Sequence, residues 1–192
     1  MGDSVVERKV EGLQLPAPGV WEFDPAHSSL TVIARHMMVT KVRGTLSVTG
    51  AIHVAEKPED SWVEVTADAA SVDTREQTRD QHLRSPDFLH VEQHPSITFR
   101  STKVEPLGGS ALRVTGDLTI RGTTRPLVLT GEFLGVGKNP WGKTVASFAA
   151  TGEIDREEFG MTWNQALEAG GWLVSKKFQI EIEVEAIQKT DS

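Results

Sequence analysis

Residues 177–187, KFQIEIEVEAI, alternate without a break: Phe178, Ile180, Ile182, Val184 and Ala186 share one parity, while Gln179, Glu181, Glu183 and Glu185 share the other. Successive side chains of a strand point to opposite faces, so this segment reads as a strand that is dry on one side only. The same period recurs in ALRVTGDLTIRG from Ala111, where Leu112, Val114, Gly116, Leu118 and Ile120 oppose Arg113, Thr115, Asp117, Thr119 and Arg121. After Gly122-Thr123-Thr124 it resumes in RPLVLTGEFLGVG, with Pro126 at a strand start, where proline is tolerated. HSSLTVIARHMM, GTLSVTGAIHV, SWVEVTADAA, PSITFRSTKV and TVASFAATGEID follow the pattern, separated by Glu59-Asp60, Gly108-Gly109 and Asn139-Pro140-Trp141-Gly142. With a short strand near Trp21, this predicts an all-β fold of about eight strands, several longer than usual. One-sided strands without covering helices bury their apolar faces against each other, as a sandwich or a closed barrel.

The apolar parity contains many small residues: Ala34, Gly50, Ala67, Ala69, Gly116, Ala146, Ala150 and Gly152. An interior this rich in Ala and Gly leaves a void unless bulky neighbours or a ligand fill it. A ligand-holding barrel of eight strands is the expectation, with bends and bulges at the small residues as the alternative.

One helix interrupts the strands, in DTREQTRDQHLRSPDF from Asp73. Thr74 and Gln77 have capping-box spacing, and Ser85-Pro86 closes the segment. A helix with so little apolar surface cannot be driven by core burial, which points to a short polar cover near one barrel end.

A formal net charge of -7 without a basic block argues against nucleic acid as a partner. The absence of cysteine removes disulfides, thiolate zinc sites and thiol nucleophiles. No signal-type apolar run opens the chain and no stretch is long enough to span a bilayer, so a cytoplasmic, not membrane-spanning protein is expected.

Asp24, His27, Ser28 and Ser29 in DPAHSS have the residue types of a triad, but a turn at Asp24-Pro25 explains them equally, and no nucleophile elbow accompanies them. His90 and His94 form a loop pair without a third ligand, so no metal is expected. His36 shares parity with Leu30, Val32 and Ala34, which predicts an inward histidine that needs a polar partner, either structural or on a ligand.

DPAHSSLTVIARHMMVTKVRG from Asp24, SVDTREQTRDQHLRSPDFLHVEQHPSITFRST from Ser71, VTGDLTIRGTTRPLVLTGEF from Val114, NPWG from Asn139 and DREEFGMTWN from Asp155 together resemble the YceI-like family of polyisoprenoid-binding proteins with a lipocalin-like barrel. The resemblance runs from Val20 to Ile187 and sets a barrel domain at 20–188, with 1–19 as an N-terminal extension expected to be a flexible arm. It implies an elongated antiparallel barrel enclosing a polyprenyl, quinone-like or fatty-acyl lipid, needing no cofactor, and a homodimer. The entry to the last strand departs from the family's glycine-acidic turn: Lys176 and Lys177 stand in VSKKFQ, and at a mouth they would favour an anionic head group.

The expected wall is Leu30, Val32, Ala34, Val65, Ala67, Phe99, Leu118 and Phe148, with Met161 and Trp163 at a mouth. His36, Arg79 and Asp80 are candidates for the polar end of the ligand or for closing the barrel over it, and Phe88 leads out of the covering helix into the same site. No catalytic residue is expected. The alternative is a hydrolase or isomerase of an amphipathic substrate using His36 or His27 as base. A filled barrel acting as a protein-binding module would instead have no internal void.

Overall fold

The computed structural model describes residues 7–10 and 13–190. Its strands are β1 (Glu7–Val10), β2 (Leu13–Pro16), β3 (Gly19–Phe23), β4 (Ser29–His36), β5 (Thr40–Leu46), β6 (Val48–Val54), β7 (Trp62–Asp68), β8 (Ser96–Gly108), β9 (Ala111–Ile120), β10 (Thr123–Lys138), β11 (Thr144–Asp155) and β12 (Lys177–Gln188). The α-helix, α1 (Gln77–Arg84), lies between β7 and β8. Eight strands close into an antiparallel ring, β11-β10-β9-β8-β7-β6-β3-β12, because β12 pairs with β11 from Val145↔Ile187 to Asp155↔Lys177. The closed barrel, one of the two arrangements that alternation left open, is therefore present, and β12 buries Phe178, Ile180, Val184 and Ala186 while exposing Gln179, Glu181 and Glu183.

The second edge of β12 is shared by two strands. Ala186–Gln188 pair with β3, and Gln179–Glu183 pair with β4. DPAHSS is the corner between them: Asp24 N–H donates to the Glu185 carbonyl at 2.8 Å, His27 N–H donates to the Asp24 carbonyl at 3.1 Å, and the Ser28 hydroxyl donates to the Glu185 carbonyl at 3.2 Å. The motif is thus a bend that lets one long strand continue along β12, and no triad assembles there.

GTLSVTGAIHV, read from alternation as one strand, is split at Ser47 into the end of β5 and β6. Beyond the split, β6 stays on β7, whereas β5 pairs only with β4 and with an isolated bridge from Thr45 to Asp73. The wall opens there, between β5 and β7, and the segment carrying α1 fills the opening. This is the surface that a nearly all-polar helix sits against.

The cap of α1 differs from the capping-box expectation. Glu76, not Thr74, accepts the first helical N–H groups, from Thr78 at 3.1 Å and Arg79 at 2.6 Å. Thr74 is buried, and its N–H and hydroxyl both donate to Asp80 Oδ1, at 2.9 and 2.6 Å. A buried carboxylate needs such donors, and here they tie the helix to the segment that leads into it.

The small inward residues also behave differently from expectation. A Cβ on Gly116 would lie 2.5 Å from the Phe99 ring, one on Gly50 would lie 3.1 Å from Phe23, and one on Gly152 would lie 2.8 Å from Leu129. Bulky neighbours occupy that space, so these glycines mark close packing rather than void. Ala34 and Ala67 do face open space, as described below.

Residues 1–6, 11 and 12 of the expected N-terminal arm lie outside the described residues. β1 and β2 pair as an antiparallel hairpin, and Leu15 is buried with Val104 and Leu112. The Arg8 guanidinium donates to the carbonyls of Ala55 and Glu56, so this part of the extension is docked on the barrel.

Candidate functional site

The barrel encloses a cavity of about 540 Å³. Leu30, Val32 and Ala34 of β4, Val65 and Ala67 of β7, Ile97 and Phe99 of β8, Leu118 and Ile120 of β9, Leu127 and Leu129 of β10, and Phe178, Ile180 and Ile182 of β12 wall it. Leu83, Phe88 and Leu89 close it from the α1 segment, and Met161, Trp163, Leu173 and Val174 close it from the loop after β11. Polar groups gather at the end nearest α1 and the β4 terminus: Arg35, His36, Glu76, Arg79 and His82. An apolar slot with a polar rim suits a ligand with a long tail and one polar end.

A smaller space of about 110 Å³ continues toward the β1–β2 end, lined by Leu15, Phe23, Ile52, Phe148 and others. Val65, Phe99, Leu129 and Ile182 border both spaces, so Phe99, seated on Gly116, is part of a partition across one barrel interior.

Of the candidates from sequence, Leu30, Val32, Ala34, His36, Val65, Ala67, Arg79, Phe88, Phe99, Leu118, Met161 and Trp163 border the larger cavity. Phe148 borders the smaller one instead. Asp80 is buried with Thr74 and does not line either space, because its carboxylate is turned to the helix anchor. His36 is exposed at the rim rather than buried, since β4 ends there.

Arginines hold the cover in place. Arg79 Nε donates to the Thr74 hydroxyl at 2.7 Å and its Nη2 to the Thr74 carbonyl at 2.9 Å. Arg84 donates to the carbonyls of Ala70 and Val72, and Arg121 to those of Pro86 and Phe88. The RDQHLRSPDF block is therefore largely a set of anchors. His82 lines the cavity along with Arg79, Leu83 and Phe88 of the block: its Nε2 lies 2.9 Å from Asp87 Oδ2, and its ring meets Phe88 and Trp163 edge-on at 5.1 and 4.5 Å.

Arg156 was not legible as a site residue, although it stands in DREEFGMTWN. Its side chain is fully buried between the Phe88 and Phe178 rings. Nε donates to the Ser175 carbonyl at 2.8 Å, and Nη1 donates to the Met161 and Trp163 carbonyls at 2.6 and 2.9 Å. Burial lowers its pKa, and the neighbouring charges of Glu157 and Asp155 oppose that shift. Arginine stays protonated in such a site, and its planar fork suits several carbonyls at once.

Lys176 and Lys177 do not form a free cationic mouth. Lys176 Nζ lies 3.0 Å from Glu157 and 3.3 Å from Asp155, and Lys177 Nζ lies 3.8 Å from Glu153. His27 Nδ1 lies 2.9 Å from Asp24 Oδ2, outside both cavities. The hydrogen bond to Asp24, then its charge and that of Glu185, raise the His27 pKa, while the His27 hydrogen bond lowers that of Asp24. Asp24, His27 and Glu185 form a surface cluster with metal-compatible atoms, but exposed acids need no ion.

The ion pair stabilises the corner only where both partners are charged. The Asp24 contribution is lost as pH falls through its lowered pKa, and the His27 contribution as pH rises through its raised one. The contribution is therefore full between about pH 4 and 6.5, the ordinary values of the two groups. In an NMR titration His27 is expected above its ordinary value, and Asp24→Asn should move it back toward that value, with the charge of Glu185 still holding it slightly up. An unmoved His27 midpoint in that variant would refute the pairing.

The YceI-like domain family matches residues 21–186. A UPF0312 protein of Staphylococcus aureus (strain USA300) is 38% identical over 166 residues, covering 85% of this chain and 94% of its own. The crystal structure of a Campylobacter jejuni YceI protein superposes with a TM-score of 0.69 at 31% identity, over 81% of this chain and 90% of that one. Burkholderia cenocepacia BcnA, at 22% identity and a TM-score of 0.72 over 85% of this chain and 99% of that one, shares the fold. So does a polyisoprenoid binding domain from Saccharophagus degradans, at 12% identity and 0.61 over 90% and 100%. No described helix is long and apolar enough to cross a membrane. By the match across 21–186 and the S. aureus relative, the chain belongs to the YceI-like family.

Proposed function

We propose that the chain binds one long apolar amphiphile inside the barrel, tail inward from the α1 end, and carries or stores it. The observation that carries this reading is the largely apolar cavity of about 540 Å³ whose charged and histidine side chains come from the α1 segment and the end of β4. At roughly 30 Å³ per water-sized group, that space suits a chain of about 18 heavy atoms, or three to four isoprene units. Each buried methylene contributes about 0.8 kcal/mol, so the tail needs no specific contact. The description of the S. degradans neighbour as polyisoprenoid-binding favours a prenyl tail over other apolar chains. Arg35, His36, Arg79 and His82 border the cavity at that end and would meet the polar group.

A second reading, an enzyme on an amphipathic substrate, has one observation in its favour. The His82–Asp87 pair faces the cavity with general-base geometry. Among the described residues, however, no hydroxyl is hydrogen-bonded to the His82 ring; that of Ser85 donates to the His82 backbone carbonyl instead. His27 lies outside the cavity, and His36 sits at its exposed rim.

Native mass spectrometry of protein purified without detergent, followed by organic extraction, tests the carrier reading. A stoichiometric prenyl, quinone or acyl species is the expected result. A clean unliganded mass with no gain on adding prenyl lipids would sink it.

A further inference from the structure

The rim of the large cavity carries apolar surface that the barrel does not use. β4 and β5 are joined by Met37, Met38 and Val39, which are 51%, 55% and 72% exposed, and Trp172 is 54% exposed. These residues belong to one surface. Met37 N–H donates to the Leu173 carbonyl at 2.8 Å, an isolated bridge joins His36 to Val174, and the Met38 side chain lies 3.2 Å from where a Cβ on Gly171 would be. Leu173, Val174, His36 and Arg35 on the same segments line the cavity, so the patch is continuous with its mouth.

The turn is built from residues its backbone does not favour. Val39 N–H donates to the His36 carbonyl at 3.1 Å, and the two central residues, Met37 and Met38, have φ of 50° and 65°. Positive φ at both central positions is the type I′ pattern, which favours Asn-Gly. Two exposed methionines there serve neither turn formation nor core packing.

The charge around the patch is equally uneven. The chain has 27 acidic residues, yet residues 25–55 contain none, while Arg35, Lys41 and Arg43 flank the Met-Met-Val tip. The opposing segment from Asn164 to Ser175 contributes only the carboxylate of Glu168. In a chain of net charge -7, the apolar tip thus has three cations on its own two strands, against the carboxylates of Glu168 on the opposing segment and Glu76 at the cavity rim.

We infer that the β4–β5 tip and Trp172 form a docking surface for an anionic lipid bilayer, into which Met37, Met38, Val39 and Trp172 insert while Arg35, Lys41 and Arg43 meet the head groups. Trp and Met suit the interface between head groups and acyl chains, and each Lys or Arg near an anionic surface adds attraction. A second copy of the chain fits less well, because a two-fold contact through this tip would set the three cations against the same three. The docking stands on the surface itself; its use for loading the cavity rests on the enclosed-lipid reading.

The test is flotation of the full chain with phosphatidylcholine vesicles, with and without about 30% phosphatidylglycerol, a composition that supplies the negative surface potential. Binding to the anionic vesicles that weakens on raising salt is expected. Met37→Asn combined with Met38→Gly supplies the residues the turn prefers, so it should keep or raise Tm while weakening vesicle binding about tenfold or more. Trp141→Ser, at the far end of the barrel, should leave flotation unchanged. Failure of the wild-type chain to float, equal flotation of the turn variant, or loss of flotation in Trp141→Ser would overturn the inference. So would a dimer in sedimentation that the turn variant abolishes, since the tip would then face another copy. Cargo is read separately by native mass spectrometry, so a chain that carries lipid but does not float refutes docking alone, and one that floats empty refutes the carrier reading alone.

Discussion

Ala34→Trp is expected to abolish lipid binding while leaving the barrel folded. Ala34 pairs with Val42 and faces the large cavity, two residues before the end of β4 at His36. At about 3.3 Å per residue it therefore stands roughly 7 Å below the rim, on the path a tail must follow. An indole there would take up about ten of the roughly 18 heavy-atom positions the cavity offers, leaving too little room for the ligand. Filling a void with apolar surface commonly stabilises by about 0.5–2 kcal/mol, so loss of binding should coincide with an unchanged or higher midpoint of denaturation. Binding of a fluorescent prenyl or acyl probe should weaken at least tenfold, and the native mass should become that of the bare chain. Retention of the same ligand at the same affinity would place it outside this cavity.

Arg156→Met should cost about 3 kcal/mol or more of stability, because it removes one buried donor group from several carbonyl acceptors at once. The methionine keeps most of the volume but leaves the carbonyls of Met161, Trp163 and Ser175 without the guanidinium. Each buried acceptor left unpaired costs on the order of 1–3 kcal/mol. These carbonyls belong to the loop that brings Met161, Trp163 and Val174 to the cavity, so hydrogen exchange should rise across 161–175 and ligand affinity should fall with it. Arg156→Lys should rescue only part of the loss, because an ammonium lacks the planar fork that reaches several carbonyls. An unfolding free energy within about 1 kcal/mol of the parent would show that water replaces the guanidinium and that the clamp is dispensable.

The wall of the cavity was readable because alternation is a local property. Leu30, Val32 and Ala34 on β4, Val65 and Ala67 on β7, and Leu118 on β9 border it as parity implied. Phe148 fell on the correct face but in the wrong chamber, since parity gives a side of the wall and not a height along it. Asp80 shows a related limit: of the two roles open to it, ligand contact and closing the barrel, its bonds to Thr74 fit the second. A carboxylate on a polar helix looks like a ligand contact until the chain folds back and Thr74 supplies its donors. Arg156 escaped notice because an arginine after a strand is ordinarily exposed, and its carbonyl partners leave no mark in sequence.

By itself, the sequence determined that this chain is a set of long one-sided strands that must bury their faces together, because a period of two is written residue by residue. Its motifs also carried the family. Only the tertiary structure decided that the wall parts between β5 and β7, that a polar helix fills the gap, that Phe99 on Gly116 divides the interior, and that the apolar tip stands beside the mouth. Those features depend on pairs far apart in the chain, such as Thr45 with Asp73 and Met37 with Leu173. Pairing at that separation is set by closure of the whole sheet rather than by local preference.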